Sequence, residues 1–298
     1  MSKIVRVLIL NATMKTGGAE RVISLLLKEW SSIEDLQVHL ILLESGLEYR
    51  LPKSILPLVL SNSKKTSVRK FFELPFISWR VARFINNNNI DVVVSFLYRP
   101  NYINLLAKKM FKTNHKVIIN VRSTTSRYLK EGILGRVNLL LIRYLFNEAD
   151  VIVSNSQGVE ADLESLLDIC TVKKVIHNPI DISHINICKK QCKNIEFDFN
   201  EGKIHIVSLG RLIPLKRNID LIDAFYICQK KYKNIRLIFL GEGVLKNNLK
   251  EYCVKLNIES KVYFLGNVSN PFYYLSRSDL FVLSSEVEGF PNALLEAM

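Results

Sequence analysis

Two glutamates eight residues apart, Glu288 and Glu296, bracket the segment EGFPNALLE. Gly289 and Pro291 shape a turn, with Phe290 and Asn292 beside them, and the residues after Pro291 carry a helical pattern. One carboxylate on the loop and one on the helix could accept hydrogen bonds from sugar hydroxyls while backbone N–H groups hold an anion. The plainer alternative makes Glu288 a helix cap and Glu296 part of a solvated face. A second cluster, Ser208-Leu209-Gly210-Arg211-Leu212 with Lys216 five residues after Arg211, puts two cations on a glycine-containing loop after an apolar run. Arg forks onto phosphate oxygens and Lys supplies a point charge, a pairing suited to a diphosphate; a solvated basic loop is the competing reading. A third, GGAER at 17–21, places Gly17 and Gly18 between the first apolar run and the first helical pattern. There the backbone could approach an anion closely. The glycines match neither G-x-G-x-x-G nor a P-loop, and a tight strand-to-helix turn explains them equally well.

These residues need elements to position them. Short runs rich in Val, Ile and Leu, without alternation, predict strands buried on both faces at Ile4–Leu10, Val38–Leu43, Leu56–Leu60, Asp91–Leu97, Lys116–Val121, Val151–Ser154 and Lys173–Ile176. Helical periods fall between them at Ala19–Trp30, Val68–Asn87, Asn101–Phe111, Ile133–Asn147 and Gln157–Leu167. The polar stretch 177–202 breaks the pattern and marks a domain boundary. Alternation then restarts, with strands at Ile204–Leu209, Ile235–Leu240, Val262–Leu265 and Leu280–Ser284 and helices at Ile219–Tyr232, Val244–Leu256 and Pro271–Ser276. Such alternation predicts an α/β chain of two doubly wound domains with parallel sheets, residues 1–186 and 187–298. The last helical pattern, PNALLEAM, stops within its second turn with neither cap nor breaker, so the second domain is expected to be incomplete.

Composition narrows the class. Of 298 residues, 48% are hydrophobic and 23% charged, which excludes a disordered chain, a collagen and a disulfide miniprotein. No apolar run is long enough to span a membrane, and the opening MSKIVRVLIL reads as a first strand without a cleavage site. Cys170, Cys188, Cys192, Cys228 and Cys253 are scattered without zinc spacing, which predicts a reduced, cytoplasmic protein without structural metal. Net charge is +13, and residues 1–200 hold 28 Lys and Arg against 18 Asp and Glu. Within them, Lys64–Arg83 has six basic residues and one acid, interleaved with Phe71, Phe72, Phe76 and Trp79; residues 99–143 add ten basic residues against Glu131. An anionic membrane surface is the partner this combination favours over nucleic acid, for which no module is present. A helix with its aromatic side packed inward is the alternative.

GGAER, VSLGRLIPLK, FLGEG, VYFLGNV and SSEVEGFPNALLEAM, in this order, resemble the retaining glycosyltransferases of family 4 across essentially the whole chain. The resemblance implies the GT-B fold, two Rossmann-like domains facing a cleft, with strand Leu280–Ser284 beside the first strand of its domain. It implies transfer of a sugar, with retention, from a nucleotide diphosphate sugar to a hydroxyl acceptor, in cell-surface polysaccharide or lipid-linked glycan assembly. Glu296 would bind the nucleotide ribose, Glu288 a hydroxyl of the donor sugar, and Arg211 and Lys216 the diphosphate, with Gly17 and Gly18 closing over donor phosphate and acceptor. Gly210, Gly289, Phe290, Pro291 and Asn292 complete the donor side. Catalysis would rest on Glu288, Arg211 and Lys216, with the nucleotide sugar as co-substrate and no cofactor. No metal is implied, since no Asp-x-Asp follows a strand. Where many members carry a histidine after an N-domain strand, this chain has Arg99 and Arg122, assigned to the acceptor side and unsuited to act as bases at neutral pH. Family members also continue beyond the EAM motif. The rival expectation is therefore a truncated, catalytically incompetent fragment that at most binds nucleotide or a partner chain. A sugar-nucleotide epimerase fits the glutamate pair less well.

Overall fold

The computed structural model describes residues 3–15, 17–61, 67–191, 197–199 and 202–298. The apolar runs form strands and the periodic stretches form helices. In chain order the first part runs β1 (Val5–Asn11), α1 (Gly18–Trp30), β2 (Leu36–Leu42), β3 (Leu58–Val59), α2 (Ser67–Phe72), α3 (Leu74–Asn87), β4 (Val92–Phe96), α4 (Tyr98–Phe111), β5 (Lys116–Val121), α5 (Gly132–Leu145), β6 (Val151–Ser154), α6 (Gln157–Leu166) and β7 (Lys173–Val175). The second part runs α7 (Ile182–Cys188), β8 (Ile204–Leu209), α8 (Asn218–Lys231), β9 (Ile235–Leu240), α9 (Lys246–Lys255), β10 (Val262–Gly266), α10 (Pro271–Arg277), β11 (Leu280–Phe281) and α11 (Asn292–Ala297).

Each part has its own parallel sheet, ordered β3-β2-β1-β4-β5-β6-β7 in the first and β10-β9-β8-β11 in the second. Successive residues of β1 serve two cores. Leu8 and Leu10 pack with α3, α4, α5 and α6 through Ile77, Ile103, Ile142 and Leu163, whereas Val7 and Ile9 pack with α1 through Val22, Ile23 and Leu27. The period of two sends alternate side chains to opposite faces, and helices cover both. The second sheet repeats the scheme. Leu237 and Phe239 pack with Ile222, Phe225 and Leu249 on one side, and Ile238 and Leu240 pack with Tyr274 on the other.

The compact units are Met1–Pro179 and Ile180–Met298, so the division falls seven residues before the 186/187 boundary read from sequence. The stretch read as patternless holds α7, whose N-cap Asp181 accepts a hydrogen bond from the His184 N–H at 2.9 Å. Asn270 donates to the Cys188 carbonyl at 2.7 Å, tying α7 to the second unit. Three further expectations are corrected. The helix predicted over Val68–Asn87 is two helices, broken at Glu73 where Pro75 opens α3. α4 starts at Tyr98 rather than Asn101, because Pro100 is tolerated in a first turn whose N–H groups lack intrahelical partners. The ladder predicted over Leu280–Ser284 is short: β11 pairs with β8 through Leu280 and Phe281, and one more bond runs from Val282 N to Val207 O at 2.9 Å. Its place beside the first strand of its domain is as the resemblance implied.

α3 also bears on the inward-packed alternative for the basic-aromatic segment. Its buried stripe is Leu74, Ile77, Ser78, Val81, Ala82 and Ile85. Phe76 and Trp79 lie on its other side, 58% and 40% exposed, Phe72 at the end of α2 is 76% exposed, and the Arg83 guanidinium sits 5.1 Å from the Trp79 ring centre. The aromatic side faces outward, against the inward-packed alternative. Lys64 and Lys65 lie outside the described residues.

A buried polar chain crosses the first core. His115 Nε2 meets Asn104 Oδ1 at 2.9 Å and its Nδ1 meets Thr113 Oγ1 at 3.0 Å, while Asn104 Nδ2 donates to Ser95 Oγ at 3.1 Å. Burial pulls the His115 pKa from 6.5 to about 4; Lys108 reinforces that shift and Asp150 opposes it. A folded-state pKa below the unfolded one means the fold holds the neutral ring. Its contribution is complete above about pH 6.5 and is lost as pH falls towards 4, up to roughly 3 kcal/mol. Urea unfolding between pH 7 and 4.5 should show this decline, and His115→Gln should flatten it over the same window.

Candidate active site

In an open parallel sheet, ligands bind beyond the carboxyl ends of the strands where the winding reverses. In the second unit that point lies between β8 and β11, the strands that lead into the Gly210–Lys216 and Glu286–Asn292 segments. After β8 the chain passes Gly210 and the exposed Arg211 and buries Leu212. It then makes a 3-10 turn at Pro214–Lys216 and enters α8 through Arg217 in the left-handed region. The loop after β9 braces this path. Leu212 N donates to Glu242 O at 2.9 Å, and Leu245 N donates back to Leu212 O at 3.0 Å. Gly241, at φ +138°, and Gly243 sit so close that a Cβ on either would overlap the carbonyls of Gly210 and Leu212 respectively. This is why the FLGEG motif carries glycine at both places.

The ion pair at the centre joins two residues 72 apart: Lys216 Nζ rests on Oε1 of Glu288, with side chains 21% and 26% exposed. Their loops are stapled through the backbone. Glu286 N donates to Leu215 O at 3.0 Å, and Ser284 Oγ donates to Lys216 O at 2.8 Å. Gly210 lies in ordinary contact distance of the Lys216 side chain: a Cβ there would be 3.6 Å from its Cε. Among the described residues, the Arg211 guanidinium has no ion pair. Gly289 and Phe290 follow Glu288 on the loop, Pro291 is the N-cap of α11, Asn292 opens that helix, and Glu296 is its fifth residue, half-buried. Two residues that sequence reasoning passed over belong here. Asn218 Nδ2, at the start of α8, and Ser285 Oγ, three residues before Glu288, are buried and have no hydrogen-bond partner among the described residues. Their signal was position: each lies within three residues of a predicted site residue.

In the first unit the winding reverses between β1 and β4. Gly17 is the N-cap of α1 in extended backbone, and Gly18 opens that helix; a side chain at Gly17 would overlap the Glu20 carboxylate. After β4, Leu97 has φ 70° and ψ 159°, a region nearly restricted to glycine, and such strain collects at functional sites. Arg99 Nη1 pairs with Glu44 Oε1 at 2.5 Å, and Lys70 joins the same carboxylate at 2.7 Å. Burial alone would raise the Glu44 pKa, but the hydrogen bonds from Lys70 and Arg99 hold it below the usual range. Arg122 follows β5. Its Nη2 donates to Asn178 Oδ1 at 2.5 Å and its guanidinium lies 5.9 Å from the Phe96 ring centre. Burial lowers its pKa to about 10, opposed by Glu20, so it remains a cation at neutral pH. Asn11 Oδ1, Asn101 Oδ1, Ser154 Oγ, Asn155 Oδ1 and the Nε atoms of Arg99 and Arg122 are buried without a hydrogen-bond partner among the described residues. All lie at or just after the carboxyl ends of β1, β4, β5 and β6. Sequence reasoning named the two arginines but not their partners: Glu44, which pairs with Arg99, Asn178, which accepts from Arg122, and Glu20, which opposes the lowering of the Arg122 pKa.

The model described as "Glycosyltransferase Family 4" matches residues 16–184, and "Glycosyl transferases group 1" matches residues 191–298. The chain belongs to glycosyltransferase family 4. Among relatives, this glycosyltransferase is 36% identical to the N-acetylgalactosamine-N,N'-diacetylbacillosaminyl-diphospho-undecaprenol 4-alpha-N-acetylgalactosaminyltransferase of Campylobacter jejuni, over 96% of this chain and 76% of that one. It is 28% identical to the capsular polysaccharide biosynthesis glycosyltransferase CapH of Staphylococcus aureus, over 76% of this chain and 61% of that one. Its fold matches Anabaena Alr3699/HepE, solved in complex with UDP, at a TM-score of 0.76 and 20% identity, covering 98% of this chain and 78% of that one. Sucrose-phosphate synthase from Thermosynechococcus elongatus gives the same TM-score at 12% identity, with the same coverages. The glycosyltransferase thus has the GT-B fold, with two Rossmann-like domains. No helix of its described residues is long and apolar enough to cross a membrane, and none of their His, Cys, Asp and Glu side chains form a group of three that could hold a metal ion.

The glycine contacts generate a test of how the site is held. Gly243→Ala should force the Leu212 carbonyl aside and destabilise the second unit by roughly 1–3 kcal/mol. Gly158→Ala, in α6 where the nearest atom is Ser156 Oγ at 3.9 Å, should be neutral or mildly stabilising. Denaturant melts of the two variants against the parent check both.

Proposed function

We propose that this glycosyltransferase moves a sugar from a nucleoside diphosphate sugar to a hydroxyl of a lipid-linked acceptor, with retention of configuration, during assembly of a surface glycan. The Lys216–Glu288 pair at the β8/β11 reversal carries the reading: one cation for a phosphate and one carboxylate for a hydroxyl, held side by side. Arg211, exposed on the same loop, adds a second charge for the diphosphate. Glu296 takes the ribose and Glu288 a sugar hydroxyl. In the reaction the bond from the anomeric carbon to the diphosphate oxygen breaks and its electron pair leaves with the phosphate. The acceptor oxygen bonds to that carbon on the same face, and its proton passes to the departing phosphate oxygen. Stabilising the charge that builds on the diphosphate is the protein's main contribution, and Arg211 and Lys216 supply it without a resident metal. Arg99 and Arg122 serve the acceptor side as binding cations, since Arg122 stays protonated at neutral pH.

The acceptor class draws support from the Campylobacter jejuni relative, whose name specifies a diphospho-undecaprenol substrate. It also accords with the outward stripe of Phe72, Phe76 and Trp79 beside Arg69 and Arg83, an arrangement suited to the headgroup level of an anionic bilayer. The enzyme then works as a peripheral protein on the cytoplasmic face of the membrane.

Arg211→Ala and Lys216→Ala should each weaken donor binding about 10–150-fold, the loss of one charge-assisted contact of roughly 1.5–3 kcal/mol. Calorimetric titration with UDP-N-acetylgalactosamine measures it, and unchanged affinity in both variants would remove the phosphate assignment. Vesicle sedimentation checks the membrane face. Binding to phosphatidylglycerol vesicles should fall in a Phe72→Ser, Phe76→Ser, Arg83→Gln variant and in high salt, and parent binding to purely zwitterionic vesicles should be weaker.

A further inference from the structure

We infer that Glu288 discriminates the intact donor from the spent nucleoside diphosphate, so that the carboxylate that holds the donor sugar also favours release of the product nucleotide. The inference rests on the donor site proposed above and extends it to product release. Lys216 Nζ lies on the Glu288 carboxylate, both side chains about a quarter exposed. Any phosphate that binds Lys216 must share it with Glu288, since the ammonium has three donors and one already rests on the carboxylate. The carboxylate cannot retreat freely, because the Glu286–Leu215 and Ser284–Lys216 hydrogen bonds tie its loop to the loop that carries the lysine. Leu212, pinned to Glu242 and Leu245, fixes that second loop in turn.

The two ligands differ in what they return to Glu288. An intact nucleotide sugar places phosphate on Lys216 and offers sugar hydroxyls to the carboxylate, so the shared ammonium and Glu288 are both satisfied. A nucleoside diphosphate also occupies Lys216, but it has no hydroxyl at that position and carries roughly one more negative charge on its terminal phosphate. Glu288 is then held beside a like charge in a half-buried setting that screens it only partly. Departure of the nucleotide leaves Lys216 to Glu288 alone. Glu288 therefore opposes the product and supports the donor through the same two oxygens.

The test compares UDP with UDP-N-acetylgalactosamine, and GDP with GDP-mannose, by calorimetry on the parent, Glu288→Gln and Lys216→Ala, with circular dichroism confirming that each variant is folded. Glu288→Gln should bind the nucleoside diphosphate about threefold to tenfold more tightly and the nucleotide sugar more weakly. The gain for the diphosphate should shrink between 0.05 and 0.5 M NaCl. If Glu288→Gln weakens the sugar nucleotide but leaves the diphosphate unchanged or weaker, the discrimination is wrong and the donor site stands. If neither variant alters either ligand, or the parent binds no member of either pair at millimolar concentration, the donor site itself is wrong and the inference falls with it.

Discussion

Parallel pairing on both flanks of one early strand is the constraint from which both units follow. β1 has β2 on one side and β4 on the other; β8 has β9 and β11. Because every neighbour runs the same way, every loop that can carry chemistry emerges at the same edge. Winding departs in opposite directions on the two sides of that strand, and a crevice opens where the directions part. The loops that matter arrive there from distant parts of the chain: Gly17 and Leu97 in the first unit, Lys216 and Glu288 in the second. Most buried polar atoms without partners among the described residues gather at the same edges, as expected where polar side chains are kept for a ligand.

How much of this was legible in the sequence depended on how many signals competed. β5, β6, β8 and β9 match their predicted spans residue for residue, because a strand covered on both faces is a mainly apolar run bounded by polar residues or glycine. α7 was missed because its exposed, mixed residues show no period, although Asp181 after Asn178-Pro179-Ile180 is an N-cap signal. Single-residue propensity could not reveal that α3 turns its aromatic side outward. Both of its stripes are apolar, and only tertiary packing selects Leu74, Ile77 and Val81 for the core.

The site shows the same division. Residue types and local spacing picked out Arg211, Lys216 and Glu288, and the pair the structure forms lies within that set. The partners of the two arginines in the first unit were invisible, because Glu44 reaches Arg99 across 55 positions and Asn178 reaches Arg122 across 56. A motif names the functional group. Its partner, hence its charge state and direction, is a property of topology.

The two stripes of α3 have a consequence for how this protein can change over time. Side chains that stabilise the fold and side chains that address its surroundings occupy opposite flanks of one helix. Phe76 and Trp79, with Phe72 at the end of α2, can drift towards polar residues without opening a cavity, while Leu74, Ile77 and Val81 cannot. On the membrane attachment proposed above, descendants could therefore keep one catalytic scaffold and lose, gain or retune that attachment by substitutions at exposed positions of α2 and α3, so that cellular address and chemistry evolve as separate traits.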